Sequence, residues 1–120
     1  MNWKNTFAAG CVALVSSTQC HAYDSSGKYI LLGVASESCG EYVGYRRKGE
    51  DNAFRGYITG YLTYVNINIP NTYDIRGGRD MDSLLLWVEK YCTDNPLEQF
   101  SDAVVALEQE LTKVKHREKP

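Results

Sequence analysis

The stretch NPLEQFSDAVVALEQELTKV, residues 95–114, decides how this chain folds. Leu97, Phe100, Val104, Leu107, Leu111 and Val114 recur at alternating steps of three and four, which an α-helix gathers into one apolar stripe. Asn95 as N-cap, Pro96 at the first helical position and Glu98 in the first turn predict where that helix begins. Burying each large side chain of the stripe is worth about 1.5–3 kcal/mol before the entropy of ordering is counted. The stripe therefore needs partners, and the remaining sequence has to supply them.

Toward the N-terminus the same period returns. A helix capped by Asp80 or Asp82 runs through Met81, Leu84, Leu85, Val88, Tyr91 and Cys92, with Trp87 off the centre of its stripe. Residues 66–79 lose periodicity, and Pro70, Asn71 and the Gly77-Gly78 pair mark a loop. Before it, Phe54, Tyr57, Ile58, Tyr61, Leu62 and Val65 form another stripe on a helix opening near Asp51. Gly56 and Gly60 lie on its edge, where a missing side chain lets another helix come close. Ser38 and Glu41 have capping-box spacing for a first helix carrying Cys39, Tyr42, Val43 and Tyr45 toward Lys48, with Gly49 at its end. Residues 28–34, KYILLGV, suit a short strand or an extended arm. The expected fold is mainly α: one small bundle of about four helices over residues 38–120, preceded by an extended arm at 23–37. The last eight residues are a charged, frayed end.

The first twenty-two residues belong to a different class of segment. Lys4 supplies a positive start, residues 7–15 (FAAGCVALV) are apolar, and Cys20-His21-Ala22 offers a small-residue cleavage site, the layout of a secretory signal peptide. A membrane span needs roughly 20 apolar residues, about twice what is present. A lipoprotein signal ending at Cys11 is the alternative, although it leaves only ten residues ahead of the cysteine. Removal of residues 1–22 leaves Cys39 and Cys92 as the only thiols, and two cysteines in an oxidising compartment such as the periplasm most simply form one disulfide. A loop of 53 residues closed in this way contributes roughly 4 kcal/mol on the chain-entropy account. A redox pair or metal ligation would call for close C-x-x-C spacing.

Composition narrows the function. The 120 residues suffice for one domain. Thirteen Lys+Arg against fifteen Asp+Glu, a formal charge of −2, argue against a nucleic-acid footprint, and 12% aromatics argue against disorder. After the leader, His116 is the sole histidine and sits in the polar tail, so His-centred triads and zinc sites lack their central residue. Asp74, Asp80 and Asp82 flank Arg76 and Arg79 in a Gly-rich segment, which suits helix capping and a solvated loop better than paired-carboxylate catalysis. The run Arg46-Arg47-Lys48 reads as a solvated helix end. No catalytic residue, metal site or cofactor is expected, and the chain reads as a non-enzymatic binder of other proteins. Nine tyrosines suit ordinary core and rim positions first and a protein-binding surface as the alternative, since tyrosine fits contacts that are apolar on one side and wet on the other. Tyr45, Tyr57, Tyr61, Tyr64 and Trp87 are the candidate protein-binding residues.

Two family resemblances bear on the partner. Ser38-Cys39-Gly40-Glu41-Tyr42, then Gly56-Tyr57, then Asp74-Ile75-Arg76-Gly77, and Cys92-Thr93 followed by Phe100, Asp102 and Val104 together resemble the HdeA group of small periplasmic acid-stress chaperones. That likeness implies an all-helical, disulfide-linked homodimer whose apolar surface is released in acid to hold unfolding clients. Loss of Lys4 leaves twelve basic residues against fifteen acidic ones, so the formal charge of −3 rises to about +12 once carboxylates with pKa values near 4 are protonated. Repulsion of that size opens a marginal dimer. Gly56-Tyr57-Ile58-x-Gly60 followed by a helix and Asn95-Pro96 is similar, in turn, to periplasmic immunity proteins that neutralise peptidoglycan amidases delivered by type VI secretion. That resemblance implies a specific inhibitor, the alternative to the HdeA-like chaperone that is the leading expectation.

Overall fold

Four helices carry the chain in a computed structural model that describes residue 24 and residues 26–117, with side chains as far as Lys115. They are α1 (Cys39–Lys48), α2 (Asn52–Asn68), α3 (Met81–Asp94) and α4 (Phe100–Arg117), preceded by a 3-10 turn at Gly33–Ser36. The expected leader at 1–22 lies outside the described residues, as does the side chain of His116. Among the described residues there is no strand; residues 28–32 are irregular, and the one antiparallel bridge joins Ser38 to Gln99.

Local chemistry explains α1 at both ends. The Ser38 hydroxyl accepts the Glu41 N–H at 3.2 Å while the Glu41 carboxylate accepts the Ser38 N–H at 3.0 Å, a complete capping box. At the other end Gly49 adopts a left-handed φ of 73°. Its N–H reaches the Arg46 carbonyl and the Glu50 N–H reaches Tyr45, which closes the last turn as a Schellman motif. Asp80 caps α3 through the Ser83 N–H at 2.8 Å. Asp51 precedes α2 but makes no cap bond, because its carboxylate is held by Arg46 at 3.0 Å.

Each expected stripe meets the others in one core. Tyr42, Phe54 and Phe100 pack ring against ring, with centroids 4.9–5.2 Å apart. Around them lie Ile58, Leu62, Val65, Leu85, Val88, Val104, Leu107 and Leu111, all buried. The Tyr42 hydroxyl donates to the Leu85 carbonyl at 3.3 Å, so the one polar atom of that aromatic centre is satisfied. Burial pushes its phenol up to about 12.

Three expectations are corrected. Asn95 does not open the last helix; it ends α3, its side-chain amide donating to the Tyr91 carbonyl at 2.9 Å, and α4 starts only at Phe100. The intervening residues cap α1 instead: Gly40 N–H donates to Pro96 O at 3.0 Å, Cys39 N–H to Glu98 O at 2.8 Å, and Phe100 N–H to Glu37 O at 2.8 Å. A helix through 96–99 would withdraw those carbonyls, and Leu97, expected in the stripe, is 96% exposed. The approach is close enough that a Cβ on Gly40 would lie 3.3 Å from Pro96 O. Second, Gly56 and Gly60 admit no neighbouring helix, since both are exposed with nothing within 4 Å of where a Cβ would stand. Third, the 46–48 run is not uniformly solvated. Arg46 is largely covered and bridges Asp51 at 3.0 Å and Glu89 at 3.2 Å, tying α1 to α3, while Arg47 and Lys48 are exposed.

The Cys39–Cys92 disulfide forms as expected, linking the first residue of α1 to the last turns of α3 with both sulfurs buried.

Candidate functional site

The five aromatic residues singled out in the sequence fall into separate settings. Tyr57 and Tyr61 stack on each other with centroids 6.4 Å apart, half-buried between α2 and α4, and the Tyr61 hydroxyl donates to the Glu108 carboxylate. Burial, followed by that hydrogen bond, raises the Tyr61 pKa. Tyr45 lies against Phe54 at 5.5 Å. Trp87 stacks on Tyr91 at 5.8 Å and borders a groove of 280 Å³ between α3 and α4, whose other apolar lining is Leu84, Leu107, Leu111 and Val114. Tyr64 stands 59% exposed near the end of α2. Tyr57 and Tyr61 are therefore chiefly packing, and the free aromatic surface of this set is Tyr64, Tyr45 and one side of Trp87.

Sequence reasoning missed the most exposed aromatic ring of the described chain. Tyr73 is 99% exposed, yet its neighbours on either side are held. Ile75 is buried in the core and its N–H donates to the Asn66 side chain at 2.8 Å. Asp74 takes two hydrogen bonds from the Arg76 guanidinium and one from the Arg76 N–H, each at 3.0 Å. Those bonds, the guanidinium's first, hold the Asp74 carboxyl below its usual range. Ahead of Tyr73, the buried Thr72 and the carbonyl of Asn71 accept hydrogen bonds from the Lys115 ammonium, both at 2.7 Å. Asn71 takes a left-handed φ of 59°, a conformation that asparagine tolerates better than most residues.

Residues 69–80 thus form a loop tied by hydrogen bonds from within and from α2 and α4, with the Tyr73 ring left outside. Ile67 (76%), Ile69 (42%) and Tyr64 are also exposed, on the last turns of α2 and just beyond it. The Pro-Asn and Gly-Gly pairs signalled that a loop is present. Its fixation depends on Asn66 and Lys115, whose polar side chains carry no signal at the level of pattern.

The acidic residues weighed for catalysis have structural tasks. Asp80 caps α3 and the Ser83 N–H holds its pKa down; Asp82 pairs with Arg55 at 3.0 Å; Asp74 stiffens the loop. Among the described residues no three His, Cys, Asp or Glu side chains are grouped to hold a metal ion, and no helix is long and apolar enough to cross a membrane. No protein-family model, curated protein or solved structure matches the chain.

Proposed function

We propose that this chain is a periplasmic, non-enzymatic protein-binding protein that engages one specific partner at neutral pH, in the manner of an immunity-type inhibitor of a cell-wall amidase. Tyr73 is the observation that carries this reading. A fully exposed ring on a loop fixed on both sides loses little freedom when a partner buries it, which is the property of an interface anchor. Exposed Ile67, Ile69 and Tyr64, at the end of the helix that leads into the loop, supply apolar surface of the kind that a partner covers. The disulfide supports an oxidising compartment, in line with the apolar leader. The Gly56-Tyr57-Ile58-x-Gly60 resemblance supports the inhibitor class.

One set of observations favours the HdeA-like chaperone as a second reading. Glu41, Asp74 and Asp80 are all held below the usual carboxylate range, Glu41 and Asp80 by backbone N–H groups at helix starts and Asp74 by Arg76. Protonating them removes bonds at the beginnings of α1 and α3 and in the loop. A chaperone, alone or as a homodimer opened by acid, would use that loosening to offer its core stripes to unfolded clients.

One experiment separates the two. The mature protein is titrated against a panel of peptidoglycan amidases while digestion of purified cell wall is followed at neutral pH, and in parallel it is assayed for suppressing aggregation of unrelated proteins at about pH 3, below the usual carboxylate range. Stoichiometric inhibition of one amidase, lost in Tyr73→Ala, is the expected result. Acid protection that ignores Tyr73→Ala gives the chaperone instead, and failure in both assays overturns both readings.

A further inference from the structure

The loop's two anchors differ in origin. Asn66 belongs to α2, the helix that leads into the loop, whereas Lys115 comes from the far end of α4, 43 and 44 residues away from its two acceptors. Lys115 lies one turn beyond Leu111, the last buried residue of the α4 stripe, so packing of that stripe delivers the ammonium to the loop. Among the described residues no carboxylate pairs with it there. Its acceptors are the carbonyl of left-handed Asn71 and the hydroxyl of Thr72, which itself donates to Pro70 O at 3.3 Å. A single cation therefore grips the Asn71 carbonyl and the Thr72 side chain, the two residues just before Tyr73, through charge-assisted hydrogen bonds of the stronger kind.

We propose that Lys115 is the positioning residue of the recognition loop, setting the backbone from which Tyr73 is presented. This rests on the reading of the loop as the partner-binding surface, and it adds that α4, which contributes no residue to the loop, controls its shape. An ammonium that served only general stability would spread its effect over the whole fold. One that positions the loop acts at Tyr73 alone.

Limited chymotrypsin digestion of the isolated, oxidised protein tests this, because a protease needs a chain segment that can bend into its site. Cleavage after Tyr73 is compared with cleavage at exposed Leu97 and Tyr64 in the same molecules. In Lys115→Met the Tyr73 rate is expected to rise about tenfold with the other two unchanged, as loss of charge-assisted bonds would give. Lys115→Arg, which keeps a donor cation, is expected to restore most of the protection. An unchanged Tyr73 rate in Lys115→Met, or an equal rise at all three sites, overturns the inference. A loop released in Lys115→Met while amidase inhibition stays complete overturns the loop's part in recognition and leaves the clamp standing, so the two failures are told apart.

Discussion

The two ends of this bundle are closed by opposite means. At one, the starts of α1 and α4 and the end of α3 are laced together by three backbone hydrogen bonds between residues 37–40 and 96–100, beside a buried disulfide. At the other, the end of α2 and the last turns of α4 hold the loop between α2 and α3 through the side chains of Asn66 and Lys115, and Asp74 and Arg76 brace that loop from within. The first end uses its polar groups on itself and leaves Leu97 exposed. The second uses a few polar side chains to hold an aromatic ring in water. On the proposed function stability and recognition fall at opposite ends, and substitutions are expected to divide accordingly.

Breaking the laced end has the largest effect. Cys39→Ala with Cys92→Ala is expected to remove roughly 4 kcal/mol, read as a fall in the denaturation midpoint. Gly40→Ala pushes a methyl group toward Pro96 O and is expected to cost about 1–2 kcal/mol in the same measurement. Ser38→Ala breaks the capping box, for about 1 kcal/mol.

Acid sharpens the contrast. Asp74 and Asp80 have lowered pKa values in the folded state, so their contribution is present above the ordinary carboxylate range and is lost as pH falls through their folded values; Glu41 is lowered as well, but it raises its neighbour Glu37, which works against it. Stability should therefore decline on acidification below about pH 4. Asp80→Asn is expected to flatten that decline when urea midpoints are measured across the range. Smallest of all is Tyr73→Ala, which should leave stability within about 0.5 kcal/mol while abolishing partner binding. A large stability loss there would merge the two ends and remove the division.

Much of the fold was legible because its signals are local. The Ser38–Glu41 pair, Gly49, the Asp80 cap and the stripe of Phe100, Val104, Leu107 and Leu111 each act within a turn or two of themselves, and all appear as read. Asn95-Pro96 misled because the same pair suits the end of one helix and the start of another. The choice is made by carbonyl demand from Cys39 and Gly40, more than fifty residues away. Gly56 and Gly60 misled in a similar way, since a small side chain permits an approach without requiring one. The loop was legible as a loop, but its rigidity comes from long-range polar contacts, and Tyr73 was lost among nine tyrosines whose exposures only packing distinguishes.

The disulfide closes a covalent ring from Cys39 to Cys92 that contains α2 and the loop, and α4 lies outside it. Oxidation is thus compatible with a chain exported only as far as residue 92, before Phe100, Val104, Leu107 and Leu111 have arrived. Such a ring is cross-linked but hollow, with Tyr42 and Phe54 facing a missing wall. For the proposed exported protein, maturation would then have a natural last step, the seating of α4, and that same step would lock the loop.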